Sequence, residues 1–335
     1  MKILAIQFRY LGDAVLLTPA LRAIKERFPA DSLHVLVAEE AAPLLRHLPW
    51  VERVWAYSRR RGKANWRQTW PLIRTLRRER FDLSVDFWGN DRGAIISRMC
   101  GARERLGTLQ AGGFLGRRFC YTKTVMLVHG EHQCLSNFRV LAALNIAMPQ
   151  QAELEIYADP ALDGAAAEVL PRPAILCHVA TSQPKKDWPI ARWAEFHRLV
   201  VAAGHEVVFS SGVAPRERAL LDEWKKLVPQ AMALPATPDL PMFLAVIKRA
   251  RLFVSGCTGP LHFAAGLGVP TIGLFGPTSP ALWAPLGPKH QFEQAARCAC
   301  SGDTAVCGSP NPCMAAITAE AVMRRVSRAF EMVTT

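Results

Sequence analysis

The sequence predicts an α/β protein with two doubly wound domains that face a central cleft. Short β-rich runs alternate with helical patterns along the chain, and this alternation is interrupted once, near residue 150. A chain of 335 residues is too long for one ordinary core and suits two domains of roughly 150 residues each. Composition agrees with a packed fold, because 50% of the residues are apolar and 21% are charged.

The first half of the chain opens on a strand that gives way to a helix. That strand stops at Arg9-Tyr10-Leu11-Gly12-Asp13, after which the apolar spacing becomes helical. Thr18-Pro19 lies inside the helical segment, where proline ends one helix or begins another. We therefore expect a short turn from Asp13 and a longer helix capped near Thr18. The strands predicted in this half are Lys2–Phe8, Leu33–Ala38, Val51–Tyr57 and Leu83–Phe87.

Four prolines between residues 149 and 173 mark the expected linker, and we place the domain boundary between residues 160 and 161. Open α/β sheets bind ligands outside the carboxyl ends of their strands, so the loops at those ends are candidate sites. The strands expected after the linker are Ala174–Ala180, Glu206–Ser210, Leu252–Ser255 and Thr271–Phe275. The helices expected there are Ile190–Ala203, Pro215–Leu227, Leu240–Ala250 and Pro260–Leu267.

The sequence shows neither a membrane span nor a signal peptide, and we therefore expect a cytoplasmic protein. No apolar run approaches the roughly 20 residues that span a bilayer, and Met1-Lys2 leads directly into a strand without a signal-peptide cleavage region. In a reducing cytosol the nine cysteines are expected to be mostly buried thiols. Four cysteines near the end of the chain could instead bind zinc or form a disulfide, although they lack the paired spacing of common zinc sites. They are Cys298, Cys300, Cys307 and Cys313. His129, His132 and Cys134 are close to one another in the sequence, and for them we expect a role at a helix N-terminus rather than in a metal site.

The formal charge of +13 is concentrated between residues 58 and 80. Nucleic acid, an anionic membrane or a phosphorylated substrate could each use such a surface, although a solvated helix face is the simpler alternative. Nucleic acid is disfavoured, because the chain has neither an RNA-binding aromatic motif nor a zinc finger. Glu79 is the one acidic residue among these cations: Arg59, Arg60, Arg61, Lys63, Arg67, Arg74, Arg77, Arg78 and Arg80.

Residues 255–280 predict an anion site in the second half. Thr258-Gly259 lies where a strand gives way to a helix, so free backbone N–H groups and the helix dipole can hold a phosphate there. His262 follows about one turn later. The alternative is a glycine turn with a capping threonine and a core histidine. Neither a dinucleotide fingerprint nor a Walker A run is present in the sequence.

Two further strand exits carry residues suited to a nucleotide. Thr181 and Ser182 supply hydroxyl groups, and Lys186, next to Lys185, supplies a point charge suited to a diphosphate. Glu217 could accept hydrogen bonds from ribose hydroxyls, or it could simply favour the start of a helix.

Three stretches together resemble glycosyltransferase family 9, the heptosyltransferases of lipopolysaccharide core assembly: "QFRYLGDAVLLTPALRAIKERFP", "KKDWPIARWAEF" and "CTGPLHFAAGLGVPTIGLFGPTSP". The resemblance covers nearly the whole chain and implies a GT-B fold of two Rossmann-like domains. It also implies that residues 161–335 bind the donor, typically ADP-L-glycero-D-manno-heptose, and that residues 1–160 bind the lipopolysaccharide inner-core acceptor. The final helix can pack back on the N-terminal domain in such a fold.

The resemblance implies roles for single residues. Asp13 matches the catalytic aspartate, which would take the acceptor proton as the sugar is transferred with inversion. Donor-binding roles are implied for Thr181, Ser182, Lys186, Glu217, Thr258, Gly259 and His262. No metal and no cofactor are implied, and the sequence contains no Asp-x-Asp pair. A carboxylate at a solvated cleft has a pKa near 4, so we expect Asp13 to be ionised without a special shift, with a plain helix cap as the alternative.

Acceptor binding is implied for the basic segment, namely for Arg59, Arg60, Arg61 and Lys63, because inner-core acceptors carry phosphates and carboxylates and lie in an anionic membrane. A peripheral contact with the cytoplasmic face of the inner membrane follows, and no nucleic-acid partner is expected. Cys257 departs from the family, in which an aspartate commonly precedes Thr-Gly. A different nucleotide sugar or glycan acceptor is therefore one alternative; an epimerase or phosphorylase and a basic nucleic-acid-binding protein are the others.

Overall fold

A computed structural model describes residues 1–58, 66–109, 112–128, 130–296 and 312–334. The chain divides into two compact units, Met1–Tyr157 and Ala158–Thr335. Each unit contains a six-stranded sheet in which all neighbouring strands are parallel. The predicted α/β fold class is confirmed.

The sheet of the first unit has the strand order β3-β2-β1-β4-β5-β6. Its strands are β1 (Lys2–Gln7), β2 (Ser32–Ala38), β3 (Arg53–Tyr57), β4 (Leu83–Asp86), β5 (Glu104–Thr108) and β6 (Lys123–Val125). Its helices are α1 (Leu11–Leu16), α2 (Thr18–Arg27), α3 (Ala42–Leu45), α4 (Trp66–Arg78), α5 (Asp91–Met99) and α6 (Gln133–Leu141). β1 lies in the middle because its run of apolar residues is buried on both faces, as parallel strands require.

The helix that follows β1 is broken where the sequence predicts. α1 ends at Leu16 and α2 begins at Thr18, with Pro19 at its second position. The Thr18 hydroxyl donates to the Val15 carbonyl at 2.7 Å and accepts the Glu155 N–H at 3.0 Å. The break therefore turns the chain without leaving this buried hydroxyl group unpaired.

The sheet of the second unit has the strand order β12-β11-β10-β7-β8-β9. Its strands are β7 (Ile175–His178), β8 (Val207–Ser210), β9 (Met232–Ala233), β10 (Leu252–Gly256), β11 (Thr271–Phe275) and β12 (His290–Gln294). Its helices are α7 (Asp163–Val169), α8 (Ile190–Ala202), α9 (Pro215–Leu227), α10 (Leu240–Lys248), α11 (Gly259–Gly266), α12 (Pro280–Trp283) and α13 (Ala319–Thr334).

Tryptophans form much of the core of the second unit. The rings of Trp188 and Trp193 meet edge to face with their centroids 4.7 Å apart, and Trp224 stacks on Phe209 at 3.8 Å. Trp188 also donates its indole N–H to the carbonyl of Ile317, 2.9 Å away, which fixes the segment before α13. α13 packs on α8 and contributes buried side chains to this same core.

The sequence prediction missed four of the strands: β5, β6, β9 and β12. β5 and β12 carry charged or polar residues in a short run, and β9 has two residues, so none of them shows the apolar pattern of a buried strand. Among the helices of the described ranges, none is long and apolar enough to cross a bilayer.

His178, at the end of β7, makes stability depend on pH. Its ring is 3% exposed, it stacks near Phe253 with a centroid distance of 6.3 Å, and Nδ1 lies 3.1 Å from Oγ of Ser210. Burial lowers the pKa of His178 from 6.5 to about 4. His178 is therefore neutral in the folded chain at pH values where the unfolded chain already binds a proton.

We expect the free energy of unfolding to fall by about 3 kcal/mol on account of His178 as pH drops from 6.5 to 4, since one pKa unit corresponds to about 1.4 kcal/mol. The contribution of His178 to the stability of the folded chain is fully present above pH 6.5, and it is lost as the pH falls towards the pKa of His178 in the folded chain. Urea unfolding of His178→Asn, followed by tryptophan fluorescence, should show a flatter pH dependence than the wild type. Parallel pH profiles for the two proteins would contradict this assignment.

Candidate functional site

Asp13, Lys186 and Thr258 follow the strands β1, β7 and β10, at which the strand order of the two sheets reverses. In the first unit the chain continues outward from β1 on one side and from β4 on the other. In the second unit β7 and β10 are neighbours from which the chain proceeds in opposite directions. Such reversal points leave a crevice at the carboxyl ends of the strands, where open α/β sheets bind ligands.

Asp13 is the third residue of α1, just beyond the carboxyl end of β1, and it is 4% exposed. Its Oδ1 lies 3.1 Å from Nη1 of Arg9. Burial raises the pKa of Asp13, whereas Arg9 and the backbone N–H groups of Tyr10 and Asp13 lower it. The expectation of a solvated carboxylate with an ordinary pKa was therefore wrong, because the first turn of the helix is packed into the unit.

Arg9 is held in place by groups from two other elements. Its guanidinium lies 3.8 Å from the centre of the Trp88 ring, in the loop after β4, and donates to Oε1 of Gln133 on α6. Gln133 Nε2 in turn donates to Oδ1 of Asn137 at 3.3 Å. The sequence reasoning above assigns no role to Arg9, although its position four residues before Asp13 is an available signal.

The hydroxyl groups predicted to bind the donor have different surroundings. Thr181 is 2% exposed, and its hydroxyl donates to the Gln183 carbonyl at 2.7 Å and accepts the Gln183 N–H at 3.2 Å. Its backbone N–H donates to Oδ1 of Asp187 at 2.7 Å. Ser182 is exposed. Thr181 therefore shapes the loop after β7, and Ser182 is accessible to a ligand.

Lys186 ends a short 3₁₀ turn in that same loop and is partly exposed. Within the described ranges it forms no ion pair, so its charge is open to an anionic ligand. Lys185 differs, because it is 6% exposed and already has an interaction partner. Of the two lysines, only Lys186 suits a diphosphate.

Glu217 is the third residue of α9 and is half buried against Gly212, where an added Cβ would overlap Oε2 of the carboxylate. Burial raises the pKa of Glu217, and the Ala214 N–H and Arg216 lower it. Arg216 joins the loops after β7 and β8, because Nη1 lies 2.5 Å from Oδ2 of Asp187 and Nη2 donates to the Thr181 carbonyl. No local pattern in the sequence indicates this bridge.

Thr258 precedes the first residue of α11, Gly259, and its side chain makes no capping hydrogen bond. Pro260 has no N–H and the Leu261 N–H donates to the Thr258 carbonyl, so the N–H groups at Thr258-Gly259 are the ones that can bind an anion. His262 lies one turn into the helix and is 4% exposed. Cys257 belongs to an apolar cluster with Leu261 and Phe275.

Several predicted residues lie outside the described ranges. These are the acceptor-binding candidates Arg59, Arg60, Arg61 and Lys63, three of the clustered cysteines, Cys298, Cys300 and Cys307, and His129. Cys313 is half buried and begins the short helical turn Cys313–Ala316. In the part of the chain that the structure covers, no three histidine, cysteine or acidic side chains are grouped closely enough to hold a metal ion.

Gly256, the last residue of β10, allows the loop after β7 to approach closely. A Cβ at this position would lie 2.8 Å from Cγ2 of Thr181 and 2.9 Å from the carbonyl oxygen of Lys186. We expect Gly256→Ala to displace the Lys186 loop, to destabilise the chain by about 1 to 3 kcal/mol and to weaken ADP binding several-fold. Thermal unfolding and an ADP titration would measure these effects.

Gly164→Ala is the matched control, because no atom lies within 4 Å of a Cβ added there, inside α7. This control should keep its ADP affinity and gain slightly in stability. Unchanged ADP affinity in Gly256→Ala would show that the close approach has no bearing on the donor loop.

Comparison with known proteins identifies the family of this chain. The model of "Glycosyltransferase family 9 (heptosyltransferase)" matches residues 69–304. Lipopolysaccharide heptosyltransferase 3 of Escherichia coli is 26% identical over 289 residues, which are 83% of this chain and 84% of that protein. Lipopolysaccharide heptosyltransferase 1 of Pseudomonas aeruginosa is 29% identical over 297 residues, 84% of this chain and 80% of that protein.

Among solved structures, E. coli heptosyltransferase WaaC with ADP superposes with a TM-score of 0.73 at 22% identity, covering 99% of this chain and 98% of that one. This likeness supports the GT-B fold. The family model covers well over half of the 335 residues. The chain is therefore a glycosyltransferase and belongs to family 9.

Proposed function

We propose that this enzyme transfers heptose from ADP-L-glycero-D-manno-heptose to the inner core of lipopolysaccharide, with inversion at the anomeric carbon and without a metal ion. The observation that carries the proposal is the buried Asp13 carboxylate beside Arg9, at the reversal point of the first sheet. Relatives that align over more than four fifths of the chain are named lipopolysaccharide heptosyltransferases, which supports the choice of sugar and acceptor.

Asp13 acts as the general base in this proposal. The acceptor hydroxyl gives its proton to the carboxylate as its oxygen forms a bond to the anomeric carbon, and the bond from that carbon to the diphosphate breaks with its electron pair on ADP. Burial makes Asp13 a stronger base than an exposed aspartate, and Arg9 favours the ionised form that must accept the proton.

Residues 161–335 hold the donor in this proposal. Lys186 and the N–H groups at Thr258-Gly259 stabilise the charge that develops on the diphosphate. Cations and N–H groups of the protein can supply this stabilisation, and the sequence has no Asp-x-Asp pair to hold a metal for it. Glu217 binds the ribose hydroxyls, Ser182 and His262 complete the donor site, and Thr181 shapes the loop that carries Lys186.

Residues 1–160 bind the acceptor in this proposal, through the basic segment that contains Arg59, Arg60, Arg61 and Lys63. Their guanidinium and ammonium groups suit the phosphates and carboxylates of an inner-core saccharide. The same charges favour a peripheral position on the cytoplasmic face of the inner membrane. Nucleic acid is not a partner in this proposal.

Cys257 favours a second candidate, a family 9 transferase with another nucleotide sugar or another glycan acceptor. Its thiol lies at the donor loop, 7% exposed and packed among apolar side chains. A thiol is a poor acceptor of hydrogen bonds from sugar hydroxyls, for which a carboxylate is suited.

A thermal-shift series with ADP, UDP, GDP and CMP, each alone and with its sugar, tests the donor. A ligand that binds only the folded chain raises its stability by RT ln(1 + [L]/Kd), so ADP and ADP-heptose should raise the melting temperature most. Product analysis with and without a lipopolysaccharide acceptor then tests the reaction. A larger shift with another nucleotide would favour the second candidate, and sugar conversion without acceptor would indicate an epimerase.

A further inference from the structure

A group of large apolar side chains is exposed on the first unit, between residues 114 and 128. Leu115 is fully exposed, and the next most exposed are Met126 and Phe119, at 81% and 77%. Phe114 and Val128 belong to the same stretch and are also exposed. We call these five residues the 114–128 surface. Exposed apolar side chains that lie together mark an interaction site when the core does not need them, and Leu115 and Phe119 lie together on one turn.

Hydrogen bonds and an ion pair fix the backbone that carries the first residues of the 114–128 surface. Arg117 is 6% exposed, and its guanidinium lies 3.1 Å from Oδ1 of Asp91 and donates to the Gly112 carbonyl at 2.8 Å. The N–H of Phe114 donates to the same Asp91 oxygen at 3.2 Å. The apolar side chains are thus presented outward by a turn whose own anchor, Arg117, points inward.

A tight turn at Gly116 positions the side chains on either side of it. Gly116 has a φ of +89°, a conformation that side chains rarely adopt, and the Phe119 N–H donates to its carbonyl at 2.9 Å. The ring of Phe119 lies over Gly116, with Cδ2 3.7 Å from the place of an added Cβ. Leu115 and Phe119 are therefore held on neighbouring parts of one turn.

Basic residues outnumber acidic ones in the stretch of chain that carries the 114–128 surface, and the neighbouring Asp91 is paired with Arg117. Between residues 98 and 128 the one acidic residue is Glu104, whereas six residues are basic: Arg98, Arg103, Arg105, Arg117, Arg118 and Lys123. Arg98, Arg118 and Lys123 are exposed. Arg105 donates to the carbonyl of Cys120, the residue that follows Phe119, at 2.8 Å.

We propose that the 114–128 surface docks on an anionic lipid bilayer, with Leu115 and Phe119 inserted among the acyl chains and the flanking arginines and Lys123 against the headgroups. Protruding apolar side chains surrounded by cations combine the two attractions that hold peripheral proteins at a bilayer interface. This inference rests on the proposed function, and it assigns the membrane contact to residues other than those of the basic segment 59–63.

The test is co-sedimentation of the full chain with vesicles of phosphatidylcholine, with and without phosphatidylglycerol, in the absence of any saccharide acceptor. The wild type should partition onto the vesicles that contain phosphatidylglycerol, and Leu115→Ser/Phe119→Ser should lower the partition coefficient about tenfold or more. Arg118→Gln should weaken binding to the anionic vesicles in a salt-dependent way.

Val201→Ser/Leu227→Ser is the matched control, because these residues are 52% and 55% exposed on the second unit. It should bind vesicles as the wild type does, and all variants should keep the wild-type melting temperature. The proposal is overturned if the wild type does not bind anionic vesicles, or if Leu115→Ser/Phe119→Ser binds them equally well. Light scattering covers the alternative that this surface joins two copies of the chain. The proposal is overturned if the variant differs from the wild type only in self-association and keeps its vesicle binding.

Transfer to a detached, lipid-free acceptor saccharide separates the docking surface from the reaction. Leu115→Ser/Phe119→Ser should keep the wild-type rate with that acceptor, because neither residue belongs to the proposed catalytic or binding site. Loss of vesicle binding with this rate retained supports docking. An inactive wild type that still binds vesicles would overturn the proposed function and leave the docking surface standing.

Discussion

Replacement of Asp13 by asparagine should lower the rate of sugar transfer by at least about a hundredfold and leave the chain folded. Asparagine keeps nearly the shape of aspartate and can still accept hydrogen bonds from the first turn of α1, but it cannot take up the acceptor proton. Removing the buried negative charge also removes the ion pair between Asp13 and Arg9, so we expect a stability change of about 1 to 3 kcal/mol. Initial rates with saturating donor and acceptor would measure the effect.

The matched control is Asp163→Asn, because Asp163 also lies in the first turn of a helix, α7, and its side chain is 50% exposed. This variant should transfer sugar at the wild-type rate. Asp13→Asn with a rate close to that of Asp163→Asn would show that Asp13 only stabilises its helix. A melting temperature measured for each variant separates lost chemistry from lost folding.

Replacement of Lys186 by methionine should weaken ADP binding about tenfold to a hundredfold. Methionine preserves the length and most of the volume of the side chain and removes the charge that we assign to the diphosphate. A hydrogen bond to a charged group contributes about 1.5 to 3 kcal/mol, which corresponds to this range of affinity. Calorimetric titration with ADP and with adenosine would show whether the loss is confined to the ligand that carries phosphates.

Lys226→Met is the control for charge alone, because Lys226 is exposed in the last turn of α9. It changes the net charge by the same amount and should leave ADP affinity unaltered. Equal affinities for Lys186→Met and Lys226→Met would remove Lys186 from the donor site and transfer the diphosphate contact to the N–H groups of α11.

The sequence predicts the central strands of both sheets well, because buried parallel strands have continuous apolar runs. The eight predicted strands and the four predicted helices of the second half all occur, with ends that differ by at most two residues. β12 shows why the others were missed: it is an edge strand with the residues HQFEQ, and its pairing with β11 comes from the sheet rather than from an apolar pattern.

The site is less predictable than the central strands. Residue types and their positions at strand exits are enough to indicate Asp13, Lys186 and Thr258 as candidates. The pKa of Asp13 could not be predicted, because it depends on burial and on its contact with Arg9. Trp88 and Gln133 lie far from residue 9 in the sequence and meet Arg9 only through the fold, so no local pattern indicates their contacts.

The Arg216 bridge has a consequence for how a nucleotide would be recognised. Arg216 fastens the loop that carries Lys186 to the helix that carries Glu217. Two loops that are already preorganised lose less conformational entropy when a ligand spans them, so more of each contact appears as affinity. Diphosphate and ribose recognition would then be thermodynamically coupled through one guanidinium group that need not touch the ligand.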